Sequence, residues 1–144
     1  MLSELYCEEV ALCERFGNAR PEEGSEHYLA YCVEDLTHRG YVHGSLVGLC
    51  SVAVAKLQEL WGSADSASPV TADMIAGFLK ASGLDCTFKG VGVTRDEFRE
   101  ALLKIGKFVH AETQLLPGVF HFFGGVPEDQ VDDLLQFLES SLAL

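Results

Sequence analysis

The sequence predicts an all-α fold: one domain over residues 1–144, built as a compact bundle of about six helices around a central buried helix. Apolar residues recur at spacings of three and four along most of the chain, which is the period of an amphipathic helix. Residues 44–61 are apolar almost all the way round as far as Ala55, which is typical of a helix buried at the centre of a domain. Residues 86–93 could be mistaken for a strand, but a lone strand has no partner, so we expect an ordered loop there.

The first helix is predicted over residues 3–16, where apolar positions recur among glutamates with helical period. Gly17 and Asn18 suit its end, because both tolerate the left-handed conformation found there. The second helix is predicted to begin at Ser25, whose hydroxyl would cap the first free N–H groups. The dipole of that helix favours the carboxylate of Glu26 in its first turn.

The third helix, residues 44–61, follows a turn-rich link over residues 35–41 and would run about 27 Å. His43 stands just before it, at the positive end of the helix dipole, which disfavours the imidazolium form. A neutral ring is the form that binds a metal. The same position also suits an uncharged histidine that merely caps the helix.

A fourth helix is predicted over residues 71–82, after a surface loop over residues 62–69 and before Gly83, which closes it. Its inner face is expected to consist of Met74, Ile75, Phe78 and Leu79. The fifth helix opens on Thr94-Arg-Asp-Glu97, a capping box in which the two end side chains satisfy each other's backbone N–H groups. Its buried stripe is expected to consist of Phe98, Ala101, Leu102, Ile105 and Phe108.

The last third of the chain is less periodic before it becomes helical again. We interpret His110 and His121 as structural, because they have no fixed relation to the histidines earlier in the chain. Pro127 suits a helix start, and acidic residues follow it. The final amphipathic helix is predicted from its leucine-rich stripe between Val131 and Leu142.

The amino-acid composition limits which partners and which compartment fit the chain. The net charge of −12 argues against nucleic acid and anionic membrane surfaces as partners. Five cysteines with no Cys-x-x-Cys pair indicate a reducing, cytoplasmic compartment. The acidic N-terminus does not resemble a signal peptide, and the longest apolar stretch, residues 46–55, is too short to span a bilayer.

Two histidines form the candidate site. His27 lies near the start of the second helix and His43 at the mouth of the third, and an αα-hairpin would bring both rings to one end of the pair. Two imidazoles at one point suggest a divalent metal such as zinc. A carboxylate, Glu26 or Glu34, could orient an imidazole through its other nitrogen. The alternative is a polar helix edge, since His27, Tyr31 and Glu34 share one face.

Three motifs carry a family resemblance: Arg-Pro-x-x-Gly-Ser-Glu-His at residues 20–27, Tyr-x-His-Gly at 41–44, and Gly-Val-Thr-Arg-Asp-Glu-Phe at 92–98. Together they resemble the C-terminal helical half of the iron-type (group III) metal-dependent alcohol dehydrogenases. Within that superfamily they are closest to the glycerol-1-phosphate dehydrogenase and AraM-like branch. The likeness runs over about residues 5–116.

The resemblance implies that His27 and His43 bind a catalytic divalent metal, zinc first, with iron or nickel as alternatives. It also implies NAD(P), provided that a separate N-terminal nucleotide-binding domain is supplied. That domain would carry the third metal ligand, an aspartate, and a glycine-rich loop that this sequence lacks. Tyr31 stands where the branch often has another histidine. The chain is therefore expected to be half an enzyme, not competent alone, and to associate with a nucleotide-binding domain or with a second copy as a homodimer.

Two other interpretations stay open. The chain could be a stand-alone helical interaction module that kept the fold without the chemistry. It could also be a relative of dehydroquinate synthase, although residues 24–27 lack the Gly-His-Thr-x-x-His pattern of that group.

Overall fold

The computed structural model describes residues 2–19, 22–62, 69–112 and 115–143, and within these ranges every regular element is an α-helix. The helices are α1 (Leu2–Phe16), α2 (Ser25–Thr37), α3 (His43–Trp61), α4 (Ala72–Ser82), α5 (Phe88–Val91), α6 (Arg95–Ala111), α7 (Val119–Phe123) and α8 (Glu128–Leu142). The all-α prediction is confirmed. Single turns, α5 and α7, form in segments expected to be irregular, and most of the predicted loop over 62–69 lies outside the described residues.

The core is built around α3, as its apolar circumference predicts. Its buried side chains include Leu46, Leu49, Val52, Ala53 and Leu57, each with no exposed surface. The helix packs against α2, α4, α5 and α8, while α6 packs against α2, α7 and α8. No helix in the described ranges is long and apolar enough to span a membrane.

Helix α6 begins at the capping box that the sequence predicts. The N–H of Glu97 donates to Thr94 Oγ1 at 3.2 Å, and the N–H of Thr94 donates to Glu97 Oε2 at 2.9 Å. This completes the predicted capping box. The stripe is also as predicted, with Phe98 and Ile105 fully buried and only Phe108 left partly exposed.

The predicted inner face of α4 is half wrong. Met74 is 58% exposed and Phe78 is 74% exposed, whereas Ala72 and Ala76 are buried. Ile75 and Leu79, the other two predicted residues, are partly buried and pack against the core.

The first helix lies outside the core. It forms over the predicted range and ends at Gly17, whose φ of +69° is the expected left-handed conformation. None of its described side chains is buried. Its large apolar residues are between 42% and 66% exposed: Leu5, Tyr6, Val10, Leu12 and Phe16. The helix is amphipathic, as predicted, but its large apolar side chains remain largely exposed.

Candidate metal centre

The structure brings the two predicted histidines together. His27 lies in the first turn of α2 and His43 is the first residue of α3. Their ring centroids are 5.3 Å apart, with the ring planes tilted by 45°. The side chain of His27 is 13% exposed, and His43 is exposed. The pair therefore opens to solvent on one side, as a site that must admit a ligand requires.

The route between the two rings differs from the predicted hairpin. In an antiparallel hairpin, the start of α3 would lie beside the end of α2, at Thr37. Thr37 is ten residues beyond His27, about 15 Å along the helix. Because the two rings are adjacent, residues 38–42 must run back along α2, which an extended chain of about 3.3 Å per residue can do. The reversal begins at His38, whose φ is +52°.

Glu26 determines how the ring of His27 is presented. Its Oε1 accepts from the backbone N–H of Gly24 at 2.8 Å and lies 3.0 Å from Nδ1 of His27. An ionised carboxylate only accepts, so Nδ1 of His27 carries the proton and donates it to Glu26. The lone pair of the neutral ring then lies on Nε2, which is the arrangement found in metal-ligating histidines.

The two carboxylates suggested from the sequence are therefore not equivalent. Glu34 makes no hydrogen bond or ion pair with either imidazole in the described part of the chain, whereas Glu26 contacts His27 directly. The predicted capping role of Ser25 is wrong, because α2 begins at Ser25 and its cap residue is Gly24. The hydroxyl of Ser25 instead accepts the N–H of Val119 at 2.9 Å and ties α7 to the start of α2.

Tyr31 lies next to His27, with ring centroids 6.2 Å apart. Burial, followed by a hydrogen bond to the carboxylate of Glu23, raises the pKa of Tyr31 to about 12. The phenol therefore stays protonated at neutral pH and donates to Glu23, which makes it a poor metal ligand. Sequence reasoning missed Glu23, which precedes the helix and has no periodic signal.

The described residues contain no group of three or more His, Cys, Asp or Glu side chains placed to hold a metal ion. A catalytic zinc takes three protein ligands and keeps one position open. The donor chemistry of His27 and His43 fits two of those three ligands. A third ligand would have to come from another segment or another chain.

A second pair of imidazoles, His110 and His121, differs from the first pair in its hydrogen bonding. The ring centroids of His110 and His121 are 5.5 Å apart, with the planes at 74°. The N–H of Gly118 donates to Nδ1 of His121 at 3.1 Å, so that nitrogen is an acceptor and the neutral ring carries its proton on Nε2. This is the opposite tautomer to that of His27, and it leaves no free ring lone pair. The interpretation of His121 as structural agrees with this geometry.

A cleft of about 640 Å³ lies beside this second pair, and its lining includes Lys107, His110, Gly124 and Gly125 but neither His27 nor His43. The candidate metal centre is therefore a separate feature from the cleft.

The buried thiols do not add ligands. Burial raises the pKa of Cys32 to about 12 and raises that of Cys50 well above its usual value. A metal binds the thiolate, which is disfavoured at both positions. Both cysteines lie in the core, where a thiol behaves as a small hydrophobic side chain.

The chain matches glycerol-1-phosphate dehydrogenases over part of its length. It is 31% identical over 88 residues to glycerol-1-phosphate dehydrogenase [NAD(P)+] of Cenarchaeum symbiosum, covering 60% of this chain and 22% of that protein. The enzyme of the same name from Saccharolobus solfataricus is 33% identical over 87 residues, again 60% of this chain and 22% of the relative. The chain is similar to part of glycerol-1-phosphate dehydrogenase.

The Aeropyrum pernix glycerol-1-phosphate dehydrogenase extends the match to 103 residues at 31% identity, covering 71% of this chain and 26% of the relative. The chain thus spans about a quarter or less of the length of these dehydrogenases, which agrees with a correspondence to one domain. The resemblance to the glycerol-1-phosphate dehydrogenase branch is confirmed. No family model and no solved structure matches the chain.

Proposed function

We propose that this chain is the metal-binding helical part of an NAD(P)-dependent glycerol-phosphate or polyol dehydrogenase, and that it is not competent alone. His27 and His43 would supply two ligands to a divalent metal, zinc first, with iron or nickel as alternatives. The observation that carries the proposal is the adjacency of the two rings, with Nδ1 of His27 held by Glu26. The similarity to glycerol-1-phosphate dehydrogenases [NAD(P)+] supports the reaction class.

The residues of this chain have distinct roles in that proposal. His27 and His43 would bind through ring nitrogens directed at the shared opening, and Glu26 would keep the His27 ring in the correct tautomer. When bound, the metal would act as a Lewis acid on the substrate hydroxyl. The nicotinamide and the third ligand would come from a nucleotide-binding domain, so the isolated chain should not oxidise an alcohol.

Zinc titration by calorimetry tests the ligand assignment. We expect weak binding by the unmodified chain, because two ligands make an incomplete site. His27→Ala and His43→Ala should each abolish that binding. His110→Ala is the matched control, since it removes one imidazole from the other histidine pair, and it should bind zinc as the unmodified chain does. Identical titrations for all four proteins would remove His27 and His43 from the site.

A second candidate is a helical interaction module without catalysis. The observation that favours it is the exposure of the large apolar side chains of α1. The two candidates differ in what is encoded beside this chain. A glycine-rich nucleotide-binding segment, either in frame or as a neighbouring subunit that copurifies, favours the dehydrogenase. A chain that forms stable complexes without any such segment favours the module.

A further inference from the structure

The link over residues 38–42 positions His43, and apart from the ring of Tyr41, which packs against the core, little packing holds it. Val42 is 72% exposed, and Gly40 has no side chain and is exposed. The first turn of α3 lacks a side-chain cap, because its cap residue is Val42. Uncapped first turns leave N–H groups without partners and tend to fray. Some other interaction must therefore hold the chain where α3 begins.

Arg39 supplies that interaction. Its Nη2 donates to the hydroxyl of Tyr41 at 2.8 Å, to Oε2 of Glu97 at 2.8 Å and to the carbonyl of Gly92 at 3.3 Å. Its Nε also lies 3.3 Å from the Tyr41 hydroxyl. One guanidinium thus joins the link to the turn between α5 and α6.

Both ends of this contact are themselves anchored. Oε2 of Glu97 also accepts the N–H of Thr94, so the capping box of α6 holds the carboxylate in place. The hydroxyl of Tyr41 donates to Thr37 Oγ1 at 2.9 Å, and Thr37 in turn donates to the carbonyl of Val33 at 2.8 Å. The link is therefore held against α2 on one side and α6 on the other.

We propose that Arg39 is a positioning residue for the candidate metal centre: with Tyr41 and Glu97 it holds the returning link so that His43 stays beside His27. This inference rests on the proposed function for its metal readout. An exposed ion pair alone contributes little to stability. Arg39 differs because it meets three acceptors on two segments, and so restricts the direction of the link as well as its distance.

The test compares Arg39→Ala with Arg39→Lys. Lysine can reach Glu97 but lacks the guanidinium fork that also binds Tyr41 and Gly92. Arg39→Lys should therefore keep part of the zinc affinity that Arg39→Ala loses. Arg95→Ala is the matched control, since it removes an exposed arginine of α6 that pairs with Asp132 and Glu139. We expect zinc affinity to fall about tenfold in Arg39→Ala, less in Arg39→Lys and not at all in Arg95→Ala.

A second readout needs no metal. Adjacent rings should show nuclear Overhauser contacts between the ring protons of His27 and His43, and these should weaken in Arg39→Ala while the core resonances stay native. Tyr41→Phe, which removes only the hydroxyl, serves if Arg39→Ala does not fold. Unchanged zinc affinity and unchanged ring contacts in the folded variant would overturn the inference.

The two readouts separate this inference from the proposed function. If the unmodified chain binds no zinc, the proposed function fails, and the ring contacts alone decide the role of Arg39. Their loss in Arg39→Ala would still support the positioning role, and their persistence would overturn it.

Discussion

The carboxylate of Glu26 accepts a hydrogen bond from Nδ1 of His27 at 3.0 Å, and this contact leaves Nε2 as the nitrogen available to a metal. Glu26→Ala should therefore weaken zinc binding by about 10- to 100-fold, because the ring loses its orientation and part of its basicity. Glu34→Ala should leave the affinity unchanged, since Glu34 contacts neither ring. Calorimetric titration of the two variants measures this, and equal affinities would show that Glu26 does not orient the ring.

The central position of α3 predicts a large cost for a charge in its middle. Val52 has no exposed surface, so Val52→Asp would bury an unpaired carboxylate and should cost several kcal/mol of unfolding free energy. Gln58→Asp places the same side chain at an exposed position of the same helix and should change stability little. Urea denaturation measures both. A Val52→Asp variant as stable as the unmodified chain would contradict the central role of α3.

The cysteines should separate into two reactivity classes. Cys32, Cys50 and Cys86 are buried, and burial raises the pKa of each, so little thiolate forms near neutral pH. Cys7 is exposed and Cys13 partly so. A chromogenic thiol reagent should modify these two in the native protein and the other three only after denaturant is added. Equal rates of modification for all five thiols would mean that the reagent reaches the core of the native protein.

The contact between Arg39 and Glu97 should be sensitive to acid. The N–H of Thr94, followed by the guanidinium of Arg39, lowers the pKa of Glu97 below its ordinary value of 4.5. A carboxyl whose pKa is lower in the folded state stabilises the fold above its unfolded pKa, and that stabilisation is lost as pH falls through the folded pKa.

Glu97→Gln should accordingly be less stable than the unmodified chain at neutral pH, and the difference should shrink once pH falls below about 4.5. Unfolding by urea across a pH series measures the difference. A gap in unfolding free energy that stays constant into acid would show that the ionised carboxylate is not what stabilises this contact.

Self-association is a further prediction, because five large apolar side chains of α1 are exposed. Phe122 and Phe123 add exposed area, whereas Phe120 and the leucine stripe of α8 are buried in the core. We expect a symmetric dimer, the commonest closed assembly.

Light scattering at micromolar concentration in about 0.15 M salt, where charge repulsion is screened, measures the mass. Replacing both Leu5 and Phe16 by Glu should produce the monomer if α1 forms the contact, while Phe78→Glu tests the outer face of α4 in the same way. A monomer of 15.7 kDa for the unmodified chain would refute the dimer.

Local interactions made most of the helices predictable from the sequence. The capping box at Thr94 and Glu97 and the helix end at Gly17 depend on residues within a few positions of each other, so their signals survive without a fold. The buried face of α4 was not predictable in the same way. Periodicity shows which apolar residues share a face, but only the neighbouring helices decide that Ala76 faces the core and Phe78 does not.

The candidate site, too, was only partly predictable from the sequence. The sequence by itself, through its motifs, singled out His27 and His43, and the structure places their rings side by side. The contact of Glu26, rather than Glu34, with His27, the returning path of the link and the contacts of Arg39 were decided only by the tertiary structure. The physical reason is distance along the chain: Arg39 meets Glu97 across 58 residues, and no local propensity encodes a contact that forms only when separate helices pack together.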